Sequence, residues 1–199
     1  MFHQHPKLTK MANFETAYHK TAAVEGGYAD NPKDRGGETW KGVARNFNPQ
    51  WLGWALVDYH RKAPGFPGTL ATDAKLQEHV LRFYKLGYWD ANRLGELNDQ
   101  DIANELYDTA VNCGVGVASR FLQRALNLTN RNGVDYPDLV VDGKIGPITI
   151  ARMNNHRRPK LILKILNTMQ GGKYIDIAEG RHDQEEFINS WFSRVSLAA

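Results

Sequence analysis

Between residues 24 and 42 the chain reads VEGGYADNPKDRGGETWKG, and three side chains there could share one reaction: Glu25, Asp34 and Thr39. Glu25 is expected in the last turn of an apolar helix, where backbone carbonyls carry the negative end of the helix dipole. With Val24, Tyr28 and Trp40 excluding water, that position should raise the carboxyl pKa and keep its proton on. An acid still protonated near neutral pH is the proton donor a glycosidic leaving oxygen needs. Asp34 follows nine positions later and Thr39 five beyond it. An aspartate returning opposite Glu25, beside a threonine hydroxyl, could hold and activate a water on the far face of a sugar. That is the inverting arrangement of two carboxyl groups. Each residue also has a plainer reading: a surface glutamate, and an aspartate and a threonine serving turns and caps. Spacing alone fixes no distance.

The elements that must position these residues read as helices. Asn13 is a candidate N-cap for a helix through Phe14, Ala17, Tyr18, Thr21 and Ala22, ended by Gly26 and Gly27. Two glycine pairs in one loop cost backbone entropy, so the loop needs tight turns or close access for a ligand. A short helix from Thr39 or Gly42 toward Asn46 is possible, followed by a tryptophan-rich stretch. KAPGFPGTL, residues 62–70, is a break. Thr72 or Asp73 then caps a helix with Leu76, Val80, Leu81 and Tyr84 on its apolar face.

Downstream, DQDIANELYDTAVNCG puts Ile102, Leu106, Ala110 and Val111 inward, and GVASRFLQRALNL does so for Val117, Phe121, Leu122, Ala125 and Leu126. A turn-rich segment follows, in which Asp142 and Gly143 shape a turn before Pro147. A long helix starts at Pro159, and a last one carries Phe187, Trp191 and Phe192, with Trp191 assigned to the core. The reading is all-α, about seven helices in one compact unit. It comprises a loose extension over 1–12, a catalytic region over 13–110 and a helical binding region over 111–199.

Composition narrows the classes. The 199 residues are 42% hydrophobic and 24% charged, an ordinary globular balance. The net charge of +3 is mildly basic, favouring an anionic polymer without naming one. A single cysteine, Cys113 in the apolar DTAVNCGVG, excludes an internal disulfide and reads as an inert buried thiol. No apolar run reaches the ~18 residues of a membrane helix, so membrane insertion is not expected. The first residues, MFHQHPKLTKMANF, lack the apolar stretch of a secretory signal.

Other candidates weigh less. Asp135, Asp138 and Asp142 do not alternate as calcium ligands do, and the seven histidines offer no paired metal spacing, so no metal or other cofactor is expected. The basic stretches NRNG at 130–133 and HRRPK at 156–160 read as solvated turns; nucleic acid would need a continuous basic face. Tyr28 and Trp40 are candidates for a cleft wall. Asn112 could hydrogen-bond an acetamido group or simply cap its helix.

These residues carry a resemblance. EGGYADNPKDRGGETWKG is similar to the N-terminal motif of glycoside hydrolase family 108, EGGY followed by D-x-GG-x-T-x-x-G. The order Glu, eight residues, Asp, four residues, Thr also resembles the Glu-Asp-Thr triad of phage-type lysozymes, where the second gap is usually one longer. LYDTAVNCGVGVASRFLQRALN resembles the family's N-x-G turn and LQ helix. VDGKIGPIT resembles the D-G-x-x-G-P-x-T signature of its peptidoglycan-binding region, and FINSWFSR its Trp-and-Arg ending.

The resemblance implies a lysozyme-like muramidase that cleaves the β-1,4 bond between N-acetylmuramic acid and N-acetylglucosamine, with Glu25 as general acid. Its partner would be peptidoglycan glycan strands. Some relatives are phage endolysins and others secretion activators, so release through a holin or an export route to the bacterial wall is expected. A non-catalytic wall-binding accessory and a lytic transglycosylase are the alternatives.

Overall fold

The structure, a computed structural model, describes residues 11–22, 26–31 and 35–196. Glu25 and Asp34, and the expected glycine end of the first helix, lie outside these or at their edge. Among the described residues there are eight α-helices and three two-residue strands, an all-α architecture with a small sheet. No helix among them is long and apolar enough to cross a membrane.

Contacts group the chain into two compact units, where the sequence was read as one. The first takes in the chain up to Tyr18 and from Tyr88 onward; the second spans His19–Gly87. Helix α1, Phe14–Ala22, begins in the first. Asn13 caps it as expected, its Oδ1 accepting from the Thr16 N–H at 2.9 Å.

The helical unit is built on α4 (Gln100–Cys113), α5 (Val115–Leu128), α6 (Pro147–Asn154), α7 (Pro159–Gly180) and α8 (Ile188–Phe192). The Asp99 carboxylate starts α4 by accepting from the N–H groups of Asp101 and Ile102. Ile102, Leu106, Leu122, Leu126, Ile162 and Leu166 form its core, none more than 1% exposed. The helical periodicity of the sequence predicts Ile102, Leu106, Leu122 and Leu126, because burial follows the same period. The boundary expected at 110/111 falls inside α4. Trp191 is half-buried and stacks on Tyr174 with ring centroids 5.2 Å apart, while Phe187 and Phe192 are exposed.

In the second unit, α2 (Gly53–His60) and α3 (Ala74–Tyr84) flank a run of short turns. Asp73, not Thr72, caps α3, accepting from the Leu76 N–H at 2.9 Å. Leu76, Val80 and Tyr84 are buried as the pattern requires, whereas Leu81 is exposed.

The short helix expected toward Asn46 is instead a three-stranded antiparallel sheet: β1 Tyr28–Ala29, β2 Thr39–Trp40 and β3 Val43–Ala44. Thr39 pairs with Ala44 and Trp40 with Val43, leaving Lys41 and Gly42 as a two-residue turn. Both have positive φ, +43° and +78°, the combination a type I′ hairpin demands. The β-branched Thr39 and Val43 and the aromatic Trp40 favour strands over the helix.

Candidate active site

The sheet positions three of the expected site residues, Tyr28, Thr39 and Trp40. Tyr28 lies opposite Trp40, and Ala29 opposite Thr39. The Thr39 hydroxyl donates to the Gly37 carbonyl at 3.1 Å, which fixes its rotamer and leaves its oxygen as an acceptor. Gly37 permits this: its φ is +65°, and a Cβ there would come within 2.7 Å of the Asn46 Nδ2. Of the glycine pairs in the loop, this position shows the clearest backbone requirement.

Beside Thr39 sits a residue that the sequence reading passed over. Glu38 is 8% exposed and ion-paired on both oxygens, with Arg61 on Oε1 and with Arg45, whose Nε lies 2.6 Å from Oε2. Arg45 reaches on to Asp58 at 2.6 Å and lies over the Trp54 ring, 4.4 Å from its centroid. The Tyr28 phenol is raised above its ordinary pKa by burial first, and then by its hydrogen bond to the Glu38 carboxylate. Tyr28 also packs edge-on against Phe66, centroids 4.7 Å apart. One buried carboxylate thus ties β1, β2 and α2 together. A glutamate directly before Thr39, with arginines 7 and 23 positions on, is the signal in the sequence, but only the fold shows that they converge.

Trp40 was expected at a cleft wall. Its ring is 3% exposed and offers a sugar almost no surface; its indole N–H has no hydrogen-bond partner among the described residues. The neighbouring Lys41 anchors the hairpin to α3 through Gln77, at 2.6 Å, and its carbonyl accepts from the Tyr84 hydroxyl at 2.9 Å. Tyr28, half-buried, keeps some surface open. Glu25 and Asp34 lie outside the described residues.

Asn112 belongs to the helical unit, near the end of α4, and its side-chain amide donates to the Asp108 carbonyl one turn back at 2.8 Å. The helix-bound reading of Asn112 accounts for that contact. The adjacent Cys113 thiol is pushed up to about 11 by burial, so it stays protonated at neutral pH and is a poor nucleophile. Among the described residues no group of three or more His, Cys, Asp or Glu side chains could hold a metal ion. Asp142 does shape the expected turn: its carboxylate accepts from the Lys144 N–H and the Gln123 amide, and Gly143 follows with φ +77°.

A mainly helical chain with a small three-stranded sheet is the lysozyme-like class of fold. A solved structure described as "Structure of Brucella abortus SagA" shares it, with a TM-score of 0.57 at 22% identity, over 92% of this chain and 88% of that one. Residues 18–114 match the family described as Glycosyl hydrolase 108, and residues 117–196 match the Predicted Peptidoglycan domain. Residues 18–114 thus form a glycosyl hydrolase 108 region, and a peptidoglycan domain follows it. No curated protein matches it at a significant level. These matches define a peptidoglycan-related hydrolase.

Proposed function

We propose that this chain is an N-acetylmuramidase that hydrolyses the β-1,4 bond between N-acetylmuramic acid and N-acetylglucosamine. The observation that carries the reading is the hydrolase family match over 18–114, the stretch that contains Glu25, Asp34 and Thr39. Glu25 protonates the glycosidic oxygen as the bond breaks. Asp34 takes the proton of the attacking water, and Thr39, whose hydroxyl hydrogen is already committed to Gly37, accepts a hydrogen bond from that water and orients it. Tyr28 offers a face to the sugar. The chain acts at the cell wall, where its substrate is, after release through a holin or an export system.

The test is incubation of wild type and Glu25→Gln with purified peptidoglycan, followed by mass spectrometry and a reducing-end assay. Reducing muramic ends from wild type, lowered at least ~100-fold in the variant, are expected for a general acid. Anhydro-muramic products, with Asp34→Asn fully active, would replace hydrolysis by transglycosylation. Wall binding without any fragments would leave a non-catalytic accessory.

A further inference from the structure

The two basic stretches that read as separate solvated turns, NRNG and HRRPK, both send arginines to a single pocket of about 640 Å³ in the helical unit. That is the scale of a small-ligand site. Arg131 comes from the turn after α5, Arg152 from α6, and Arg157 and Arg158 from the connection to α7.

The pocket is held in shape from beneath. Asn130 organises the turn, its amide donating to the Tyr136 carbonyl and its Oδ1 accepting from the Gly133 N–H. The Tyr136 hydroxyl donates to the Leu126 carbonyl at 2.9 Å. His156 accepts the Arg158 N–H on Nδ1, so in the neutral ring Nε2 carries the hydrogen and donates to the Thr129 hydroxyl at 3.0 Å. That hydroxyl in turn donates to the Ala125 carbonyl at 2.8 Å. Burial keeps His156 below its ordinary pKa, so the pocket's charge at neutral pH comes from the guanidiniums.

The charges do not cancel. Asp135 engages Arg131, whose Nε lies 3.0 and 3.1 Å from the two carboxylate oxygens. Arg152, Arg157 and Arg158 have no carboxylate partner among the described residues. After Arg131, the fields of Arg157 and Arg158 also lower the Asp135 carboxyl, so they converge on the same space. Arg152 lies over the Tyr136 ring, 4.8 Å from its centroid, which orients the guanidinium and leaves its N–H edge for another partner. Three guanidiniums around one concavity focus a positive potential that an anion would relieve.

We propose that this pocket receives the carboxylates of the peptide stem of peptidoglycan, a short acidic peptide. This rests on the peptidoglycan reading above. The pocket lies in the region that matches the peptidoglycan domain. In that polymer the sugar rings are neutral and the negative charge sits on the stem carboxylates, which match the planar fork of arginine. The glycan is cut in one part of the chain, and the stem is held in another.

The test is a calorimetric titration of the full chain with a synthetic stem tetrapeptide bearing free carboxylates, with its fully amidated analogue, and with inorganic phosphate. The free acid is expected to bind, the amide at least tenfold more weakly, and phosphate far more weakly than the peptide. Arg157→Gln/Arg158→Gln and, separately, Arg152→Gln should each weaken the acid at least tenfold with unchanged circular dichroism. Lys160→Gln, an exposed cation outside the pocket, should change it less than twofold. Equal binding of acid and amide, or indifference to the arginine variants, overturns the proposal. Phosphate binding as tightly as the peptide also overturns it, in favour of a phosphate-bearing polymer. Glu25→Gln should bind the peptide like wild type. Peptide binding without hydrolysis would sink the muramidase reading alone, and hydrolysis without peptide binding would sink this one alone.

Discussion

Each unit buries a carboxylate beside arginine, and the two are held in different ways. Glu38 pairs with arginines no more than 23 residues away, and Asp108 accepts from Gln170, 62 residues on, and Arg194, 86 residues on. The Glu38 side chain is 9% exposed, but its partners Arg45 and Arg61 are 30% and 42% exposed. Asp108 and Arg194 are both nearly closed off, at 14% and 11%. Local pairs thus shape the loops around Thr39, while a long-range polar knot fastens the end of the chain to α4. An arginine released by Glu38 can turn to water; Arg194 has little water to turn to.

The largest effect is therefore expected at Asp108. Asp108→Asn leaves the Arg194 guanidinium buried without its counter-charge, a loss of about 3 kcal/mol. Urea denaturation measures it, and Asp108→Asn/Arg194→Met should cost less than the sum of the singles. A loss below about 1 kcal/mol in the single variant would remove the basis of the contrast. Glu38→Gln should cost less, about 2 kcal/mol or under, because Arg45 and Arg61 rehydrate. Its signature lies elsewhere: faster proteolytic nicking within His19–Gly87 and a reducing-end rate at least tenfold lower, since Glu38 directly precedes Thr39. If both variants lose equal stability, exposure of the partners is not what separates the two sites.

The same contrast explains what was legible in the sequence. The helical unit announces itself because Ile102, Leu106, Leu122 and Leu126 repeat with the helical period that buries them. Asn13 and Asp73 mark helix starts by chemistry that works within three residues. The sheet was missed because two-residue strands are too short to show alternation, and the Lys41–Gly42 turn hides a positive φ on a lysine. Glu38 was missed because its arginines come together only after the chain folds. The basic pocket was split for the same reason: residues 131 and 157 are neighbours in space, not in sequence. Trp40 read as a cleft residue from its place in the loop, and burial decides otherwise.

A smaller effect sharpens the view that the loop near Thr39 is set by its backbone. Gly37→Ala places a side chain at φ +65° and against Asn46, whose amide is already committed to the Arg35 carbonyl at 3.1 Å. About 1–2 kcal/mol of strain is expected. Thermal melting reads the loss, and the reducing-end rate should fall with it because the Gly37 carbonyl anchors the Thr39 hydroxyl. A variant as stable as wild type but inactive would separate geometry from stability there; one unaffected in both would show that the turn is not constrained.

Acidification gives the smallest separation of the two units, with a definite sign. In the sheet-bearing unit, a hydrogen bond from Arg45 holds the Asp58 carboxyl below its ordinary value, and one from His60 does the same for Asp73. A carboxyl lowered in the folded state supports folding above its unfolded value, roughly 3.9, and that support is lost as pH falls through the folded value. In the helical unit, burial lowers His156. The unfolded chain then takes up the proton first, so stability starts to fall below roughly pH 6.5, where the aspartates of the other unit are still fully ionised. His182, raised by its hydrogen bond to Glu185 at the fully exposed surface, works in the opposite direction, so the comparison must isolate His156. Melting wild type and His156→Gln from pH 8 to pH 5 does so. The wild type should lose stability relative to the variant as pH falls below roughly 6.5, whereas parallel curves would mean that the Thr129 and Arg158 contacts hold the ring equally well in both charge states.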